Sequence, residues 1–202
     1  MDLEYEGPAK ELVIELGKWL NDWPDYGSMK LWQKCNEALR MDPKCFPAHI
    51  YLGLYELEHK NRDRMEEHFL KALELADDPY NEFTWDWVVV TLGEGLKDHA
   101  RLARYLRRYC EKRPDTFAVT YLARTLVKLG QRSEALSVLE SHLENHPADD
   151  FKDLKKISET IWKDLGERNE ALSVLDEHIR RHPDDKKARK LRKKIGKAKM
   201  RR

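Results

Sequence analysis

Two pairs of histidines have the spacing at which neighbouring imidazoles on a helix can share a metal ion. His142 and His146 lie four residues apart, and His178 and His182 repeat that interval. Two ligands on one helix face are too few for a stable site, and no H-E-x-x-H pattern accompanies either pair. Histidines near the C-terminal end of a helix are also favoured by the helix dipole. We therefore expect helix-terminal histidines, with no bound metal and no other cofactor.

The sequence contains no motif of nucleophilic or phosphoryl-transfer chemistry. The G-x-G-x-x-G and Walker phosphate loops, the G-x-S-x-G nucleophile turn and a cysteine and histidine arrangement are all missing. Gly93-Glu94-Gly95 has no strand before it and no phosphate-binding helix after it. Carboxylates are abundant, but pairs of them are expected on any solvated helix face in a chain with 37% charged residues. We expect a protein that is not an enzyme.

Composition limits the class of protein further. The chain has 202 residues, a formal net charge of +1 and 41% hydrophobic residues, which suffices for a core. No apolar run reaches the roughly 18 residues that a membrane-spanning helix needs. Cys35, Cys45 and Cys110 are odd in number and far apart, so neither a disulfide framework nor a zinc site is predicted. The first residues lack the basic character of a signal peptide, and we expect a cytoplasmic protein.

The positive charge is concentrated at the C-terminus. Residues 184–202 contain eleven Lys or Arg and two Asp, a local charge of +9, which leaves −8 for residues 1–183. Ala188, Leu191, Ile195 and Ala198 are separated by 3, 4 and 3 residues, which predicts an amphipathic helix. Its basic face comprises Lys186, Lys187, Arg189, Lys190, Arg192, Lys193, Lys194, Lys197 and Lys199.

Two roles for this C-terminal helix stay open. Its apolar side can cap the end of a helical array, while its basic side can attach to nucleic acid or to an anionic membrane. A third outcome is a homodimer in which the basic tail meets the acidic body of a second copy.

An internal repeat dominates the sequence. Residues 130–147 return as residues 166–183, with eleven of eighteen positions identical at an offset of 36. The prolines that keep this period are Pro43, Pro79, Pro114, Pro147 and Pro183, separated by 36, 35, 33 and 36 residues. Between them apolar residues recur at i, i+3, i+4 and i+7, which predicts two amphipathic helices in each interval. Short turns are predicted at Gly130, at Gly166 and at residues 61–63.

One segment departs from this pattern. Residues 87–92, Trp-Val-Val-Val-Thr-Leu, are rich in β-branched and aromatic side chains and on their own would indicate a strand. A lone strand would have no partner in this chain, so we predict a helix here.

The repeat resembles the tetratricopeptide repeat family. Leu52-Gly53, Phe69 and Ala72, followed by Pro79, match the family's pattern, and Gly130 with Ala135 and Gly166 with Ala171 have its spacing around the turn. The resemblance implies an all-α fold, a right-handed superhelical solenoid of about five helix hairpins with a C-terminal capping helix. The corresponding repeats cover approximately residues 8–43, 44–79, 80–114, 115–147 and 148–183, so that residues 1–183 form the repeat domain and residues 184–202 the basic tail.

The resemblance also implies a ligand groove lined by the first helix of each hairpin. The groove residues carried over from the family pattern, with two neighbouring aromatic residues, are Ile50, Tyr51, Leu54, Leu57, Asp86, Trp87, Val90, Thr120, Arg124, Lys156, Thr160 and Lys163. Such a groove is apolar in its early part and basic in its late part, which suits a peptide with a hydrophobic anchor and an acidic end. The alternative for Leu54 and Leu57 is packing within their own hairpin.

From these observations the sequence predicts a non-catalytic scaffold that binds a protein or peptide ligand in the groove. The alternative function is an adaptor associated with nucleic acid through the basic C-terminal helix.

Overall fold

The protein is built from helices. A computed structural model describes residues 5–22, 24–76, 86–146 and 150–198, with the side chains of all of these except residues 86, 87 and 94. No strand occurs among these residues, and eleven helices pack in sequence-adjacent pairs. The chain divides into two compact units, Met1–Tyr105 and Leu106–Arg202.

The first unit begins with two helix pairs. Its helices are α1 (Lys10–Asp22), α2 (Met29–Met41), α3 (Phe46–Glu58), α4 (Arg62–Leu75) and α5 (Asp86–Gly95), followed by the start of α6 (His99–Lys112). Helix α1 packs on α2, and α3 packs on both α2 and α4. Ser28 begins α2 as its N-cap, because the Ser28 hydroxyl oxygen accepts a hydrogen bond from the Leu31 amide at 3.2 Å.

Helix α5 confirms the prediction that residues 87–92 are helical rather than extended. Its turns are wider than those of an α-helix and have π-helical character. Directly after the helix, the Leu96 amide donates a hydrogen bond to the Thr91 carbonyl, five residues earlier, at 2.9 Å. Val88 and Leu92 are buried, so tertiary burial outweighs the strand preference of these side chains.

Two arginines of α6 attach this helix to α4 within the first unit. Arg101 forms ion pairs with Asp63, with Glu66 at 3.0 Å and with Asp98 at 2.7 Å. Arg104 adds a two-pronged contact to Glu66, at 2.6 and 2.7 Å.

The second unit contains the most regular pairs. After the end of α6 come α7 (Thr116–Lys128), α8 (Arg132–Asn145), α9 (Phe151–Glu159) with a π-helical continuation (Thr160–Leu165), α10 (Arg168–Arg181) and α11 (Lys186–Lys197). Helix α7 packs on α8 and α9, α10 packs on α9, and α11 packs on both α9 and α10. Each of these contacts buries an apolar stripe at helical spacing.

The turns of this unit lie where the sequence predicts them. Gly130, between α7 and α8, and Gly166, between the π-helical continuation and α10, have φ values of +77° and +80°, which glycine adopts at little cost. Pro114 and Pro183 also lie outside helices, whereas Pro79 and Pro147 fall outside the described residues.

Candidate functional site

The groove residues predicted on α3 are core residues in the structure. Ile50, Tyr51 and Leu54 are between 0% and 4% exposed, and Leu57 is half-buried. Helix α3 is apolar on nearly all sides and lies between α2 and α4, so its side chains are covered on more than one face. Ile50, Tyr51 and Leu54 are therefore buried rather than exposed on a groove surface, whereas Leu57 is only partly covered.

Of the groove residues predicted on α5, the structure describes the side chain of Val90 alone. Val90 is 48% exposed and so is available at the surface. The side chains of Asp86 and Trp87 lie outside the part of the chain that the structure describes.

The structure brings the predicted residues of α7 and α9 together. Thr120 and Thr160 are buried, while Arg124 and Lys163 are exposed and Lys156 is half-buried. The Arg124 guanidinium reaches across to the next hairpin, where Nε is 2.8 Å from the Asp164 carboxylate and Nη2 is 3.3 Å from the Thr160 hydroxyl. The two helices therefore share one polar face, which we call the α7–α9 face.

An exposed aromatic ring belongs to the same face. Phe117 is 45% exposed, and the ammonium of Lys156 lies 4.0 Å from the centre of its ring. This distance is that of a cation–π contact. The α7–α9 face is defined by Phe117, Arg124, Lys156 and Asp164.

Lys156 is the electrostatically unusual residue of this face. Burial lowers the pKa of its ammonium, and the positive charge of Arg124 lowers that pKa further. Among the described residues no carboxylate lies within 4.0 Å of this ammonium, although Lys163 pairs with Glu159 at 3.2 Å. The charges of Asp115 and Asp153 raise this pKa, but neither carboxylate lies within 4.0 Å of the ammonium. A half-buried cation so placed favours the approach of an anionic group.

Phe117 was missed by the sequence analysis, although a signal for it exists. It precedes Thr120 by three residues and Arg124 by seven, so all three lie on one side of α7. The Asp115 carboxylate accepts hydrogen bonds from the Phe117 and Ala118 amides at 2.7 and 2.9 Å, which fixes Phe117 in the first turn.

The C-terminal helix has the amphipathic arrangement predicted from its sequence. Ala188, Leu191 and Ile195 are 0%, 6% and 0% exposed and pack towards α9 and α10. The basic residues of α11, all exposed, are Lys186, Lys187, Arg189, Lys190, Arg192, Lys193, Lys194 and Lys197. Within the described ranges only Arg192 of this set pairs with a carboxylate, that of Asp176 at 2.9 Å. Lys199 lies outside the described residues.

The histidine pairs lie at the ends of α8 and α10, where their rings contact each other. Ring centres are 5.3 Å apart for His142 and His146 and 4.6 Å apart for His178 and His182. His142 contacts the Thr116 hydroxyl at 3.2 Å, and His178 contacts the Asp185 carboxylate at 3.1 Å. These contacts give the buried histidines a structural role. In the part of the chain that the structure describes, no three His, Cys, Asp or Glu residues are grouped as metal ligands.

Comparison with models of known protein families finds no family that matches this chain, and comparison with curated protein sequences finds no match either. Within the described ranges, none of the helices combines the length and the apolar character that crossing a membrane requires.

Proposed function

We propose that the protein is a cytoplasmic, non-catalytic adaptor that binds an acidic segment of a partner protein on the α7–α9 face. The observation that carries this proposal is Lys156, a half-buried cation beside Arg124 with no carboxylate within 4.0 Å among the described residues. An Asp or Glu of the ligand would supply a direct ion-pair partner, in addition to the more distant charges of Asp115 and Asp153.

The neighbouring groups suit a peptide rather than a free anion. Phe117 offers an exposed ring for an apolar or aromatic ligand side chain, next to the two cations. Asp164 already neutralises part of the Arg124 charge, so Lys156 is the stronger attraction and Arg124 is the orienting contact. The ligand therefore combines an acidic residue with an apolar one.

The proposed architecture behind this face is a tetratricopeptide-like array, a right-handed superhelical solenoid of about five hairpins. Its support is the repetition of residues 130–147 at 166–183, with one helix pair in each predicted interval. In such an array the first helices of successive hairpins lie side by side, as α7 and α9 do.

Recovery of partners from a native lysate tests the function. The bait proteins are the unaltered chain, the double variant Arg124→Gln with Lys156→Gln, and a control variant, Lys128→Gln with Lys155→Gln, which removes the same charge from exposed positions of the same two helices. The proposal predicts a discrete protein that survives nuclease treatment and is lost only with the first variant. Equal recovery by both variants would contradict it.

The second candidate function is nucleic-acid attachment through α11. Its specific support is the row of exposed basic side chains on this helix, of which one alone is paired with a carboxylate within the described ranges. Replacing Lys193, Lys194, Lys197 and Lys199 by Gln would then abolish binding to single- or double-stranded nucleic acid, and the affinity of the unaltered chain would fall steeply with salt. Nuclease-sensitive recovery in the lysate experiment would favour this function.

A further inference from the structure

A cleft separates α8 from α10 within the second unit. Its volume is about 550 Å³, which is within the range of ligand-binding clefts. Buried Ile161 of the π-helical continuation lies at its base, and half-buried Leu136, Leu143 and Val174 line its sides. These aliphatic side chains give the cleft an apolar interior.

The charged residues that line the cleft are mostly acidic. Glu177 is neutralised by Arg180 at 3.1 Å and by Arg181 at 3.6 Å. Three further glutamates, Glu140, Glu144 and Glu170, are exposed and have no basic side chain within 4.0 Å among the described residues. The cleft therefore combines an apolar interior with three carboxylates that have no counter-charge in the part of the chain that the structure describes.

We propose that this cleft binds a basic amphipathic helix of a partner protein. Apolar side chains at i, i+3 or i+4 and i+7 would enter the cleft between α8 and α10, and flanking Lys or Arg would pair with Glu140, Glu144 and Glu170. Because the exposed carboxylates of the cleft are negative, the partner helix must carry positive charge. The aliphatic lining requires that this helix also present apolar residues.

The basic helix α11 of a second copy does not meet both requirements. It has the right charge, but Ala188, Leu191 and Ile195 are buried in their own unit, so its surface offers no apolar side chains. The α11 helix of a second copy is therefore not the occupant that we propose for the cleft. This site is independent of the α7–α9 face, which attracts acidic groups.

Fluorescence anisotropy of a labelled synthetic peptide tests the site on the full chain. The peptide is about 15 residues long, with leucines three and four residues apart on one face and lysines elsewhere. The test variant replaces Glu140, Glu144 and Glu170 by Gln. The control variant replaces Glu15, Glu58 and Glu67, three exposed glutamates of the first unit, by Gln, and so changes the net charge equally.

The test variant is expected to raise the dissociation constant of the peptide by about tenfold, while the control variant leaves it within about twofold. A peptide of the same charge in which serines replace the leucines is expected to bind at least about tenfold more weakly to the unaltered chain. Equal losses for the two protein variants would show general attraction to an acidic surface and would overturn the proposal.

Two other occupants would also overturn it. Tight binding of a neutral or acidic peptide with the same leucine spacing would show that the partner does not need basic residues. Self-association of the chain in sedimentation experiments, abolished by the same three glutamate substitutions, would assign the cleft to a second copy. Neither result depends on the α7–α9 face, so the two proposals fail separately.

Discussion

At the scale of residues, a histidine pair between α3 and α4 makes stability depend on pH. The Nδ1 atoms of His49 and His68 are 3.0 Å apart, a contact that requires at least one neutral ring. Burial lowers the pKa of His49 to about 4, and the charges of His68 and Lys71 act in the same direction. Burial also lowers the pKa of His68, although Glu56 and Glu67 oppose this shift and Arg64 adds to it.

The sign of the effect follows from these lowered pKa values. Between the unfolded pKa of about 6.5 and the folded pKa of about 4, the unfolded chain binds more protons at His49 than the folded chain does. The stabilisation is complete above about pH 6.5 and is lost as the pH falls towards 4. We expect the free energy of unfolding to be lower at pH 5 than at pH 7 by about 1–2 kcal/mol from this pair.

Urea unfolding of the variant His49→Gln measures this contribution. The variant is expected to show a smaller pH dependence between pH 7 and 5 than the unaltered chain, because a glutamine side chain does not titrate. His59→Gln is the matched control, since His59 is exposed at the end of the same helix. Identical pH profiles for all three proteins would show that the pair does not carry the effect.

Gly53 marks a close approach between α3 and α4. A Cβ atom placed there would lie 2.4 Å from Cε1 of Phe69, whose ring is 1% exposed and has little room to move. Gly53→Ala is therefore expected to lower the free energy of unfolding by about 1–3 kcal/mol, despite the better helix propensity of alanine.

The control substitution for Gly53 lies in α11. A Cβ atom at Gly196 would meet nothing within 4 Å, so Gly196→Ala is expected to be neutral or stabilising by up to about 1 kcal/mol. Thermal unfolding followed by circular dichroism compares the two variants. A Gly53→Ala protein as stable as the unaltered chain would contradict the packing described for this hairpin.

At the scale of elements, α11 stabilises the second unit as well as carrying charge. Ile195 is 0% exposed, while the adjacent Lys194 is exposed. Ile195→Ala is expected to lower the free energy of unfolding by about 2–4 kcal/mol, because it leaves a cavity where α11 covers the unit. Lys194→Ala is expected to change it by less than about 0.5 kcal/mol. Denaturant unfolding of the full chain checks both, and equal effects would mean that α11 is not a structural cap.

The sequence predicts the helices better than it predicts which side of each helix is covered. Gly130 and Gly166 locate their turns because glycine adopts a positive φ at little cost. By contrast, α3 is apolar on nearly all sides, so periodicity does not distinguish a surface face from a core face. The burial of Ile50 and Leu54 depends on the positions of both α2 and α4. The local sequence pattern carries no information about those positions.

At the scale of the whole molecule, the charge pattern predicts opposite surfaces but not their positions. The tail carries +9 and residues 1–183 carry −8. The cations of the α7–α9 face and the glutamates of the cleft between α8 and α10 nevertheless both lie within the acidic residues 1–183, in the second unit. Phe117 and Lys156 are 39 residues apart in sequence. Their contact arises from the packing of α7 on α9, so composition and spacing alone did not identify the pair.

Site-specific photo-crosslinking tests whether a protein ligand contacts the α7–α9 face. A photoreactive phenylalanine analogue would replace Phe117 in one protein and Lys190 of α11 in another, because both positions are exposed. We expect a nuclease-resistant crosslink to a discrete protein from position 117, and we expect this crosslink to be lost in the Lys156→Gln background. Crosslinks formed only from position 190, and only to nucleic acid, would contradict it.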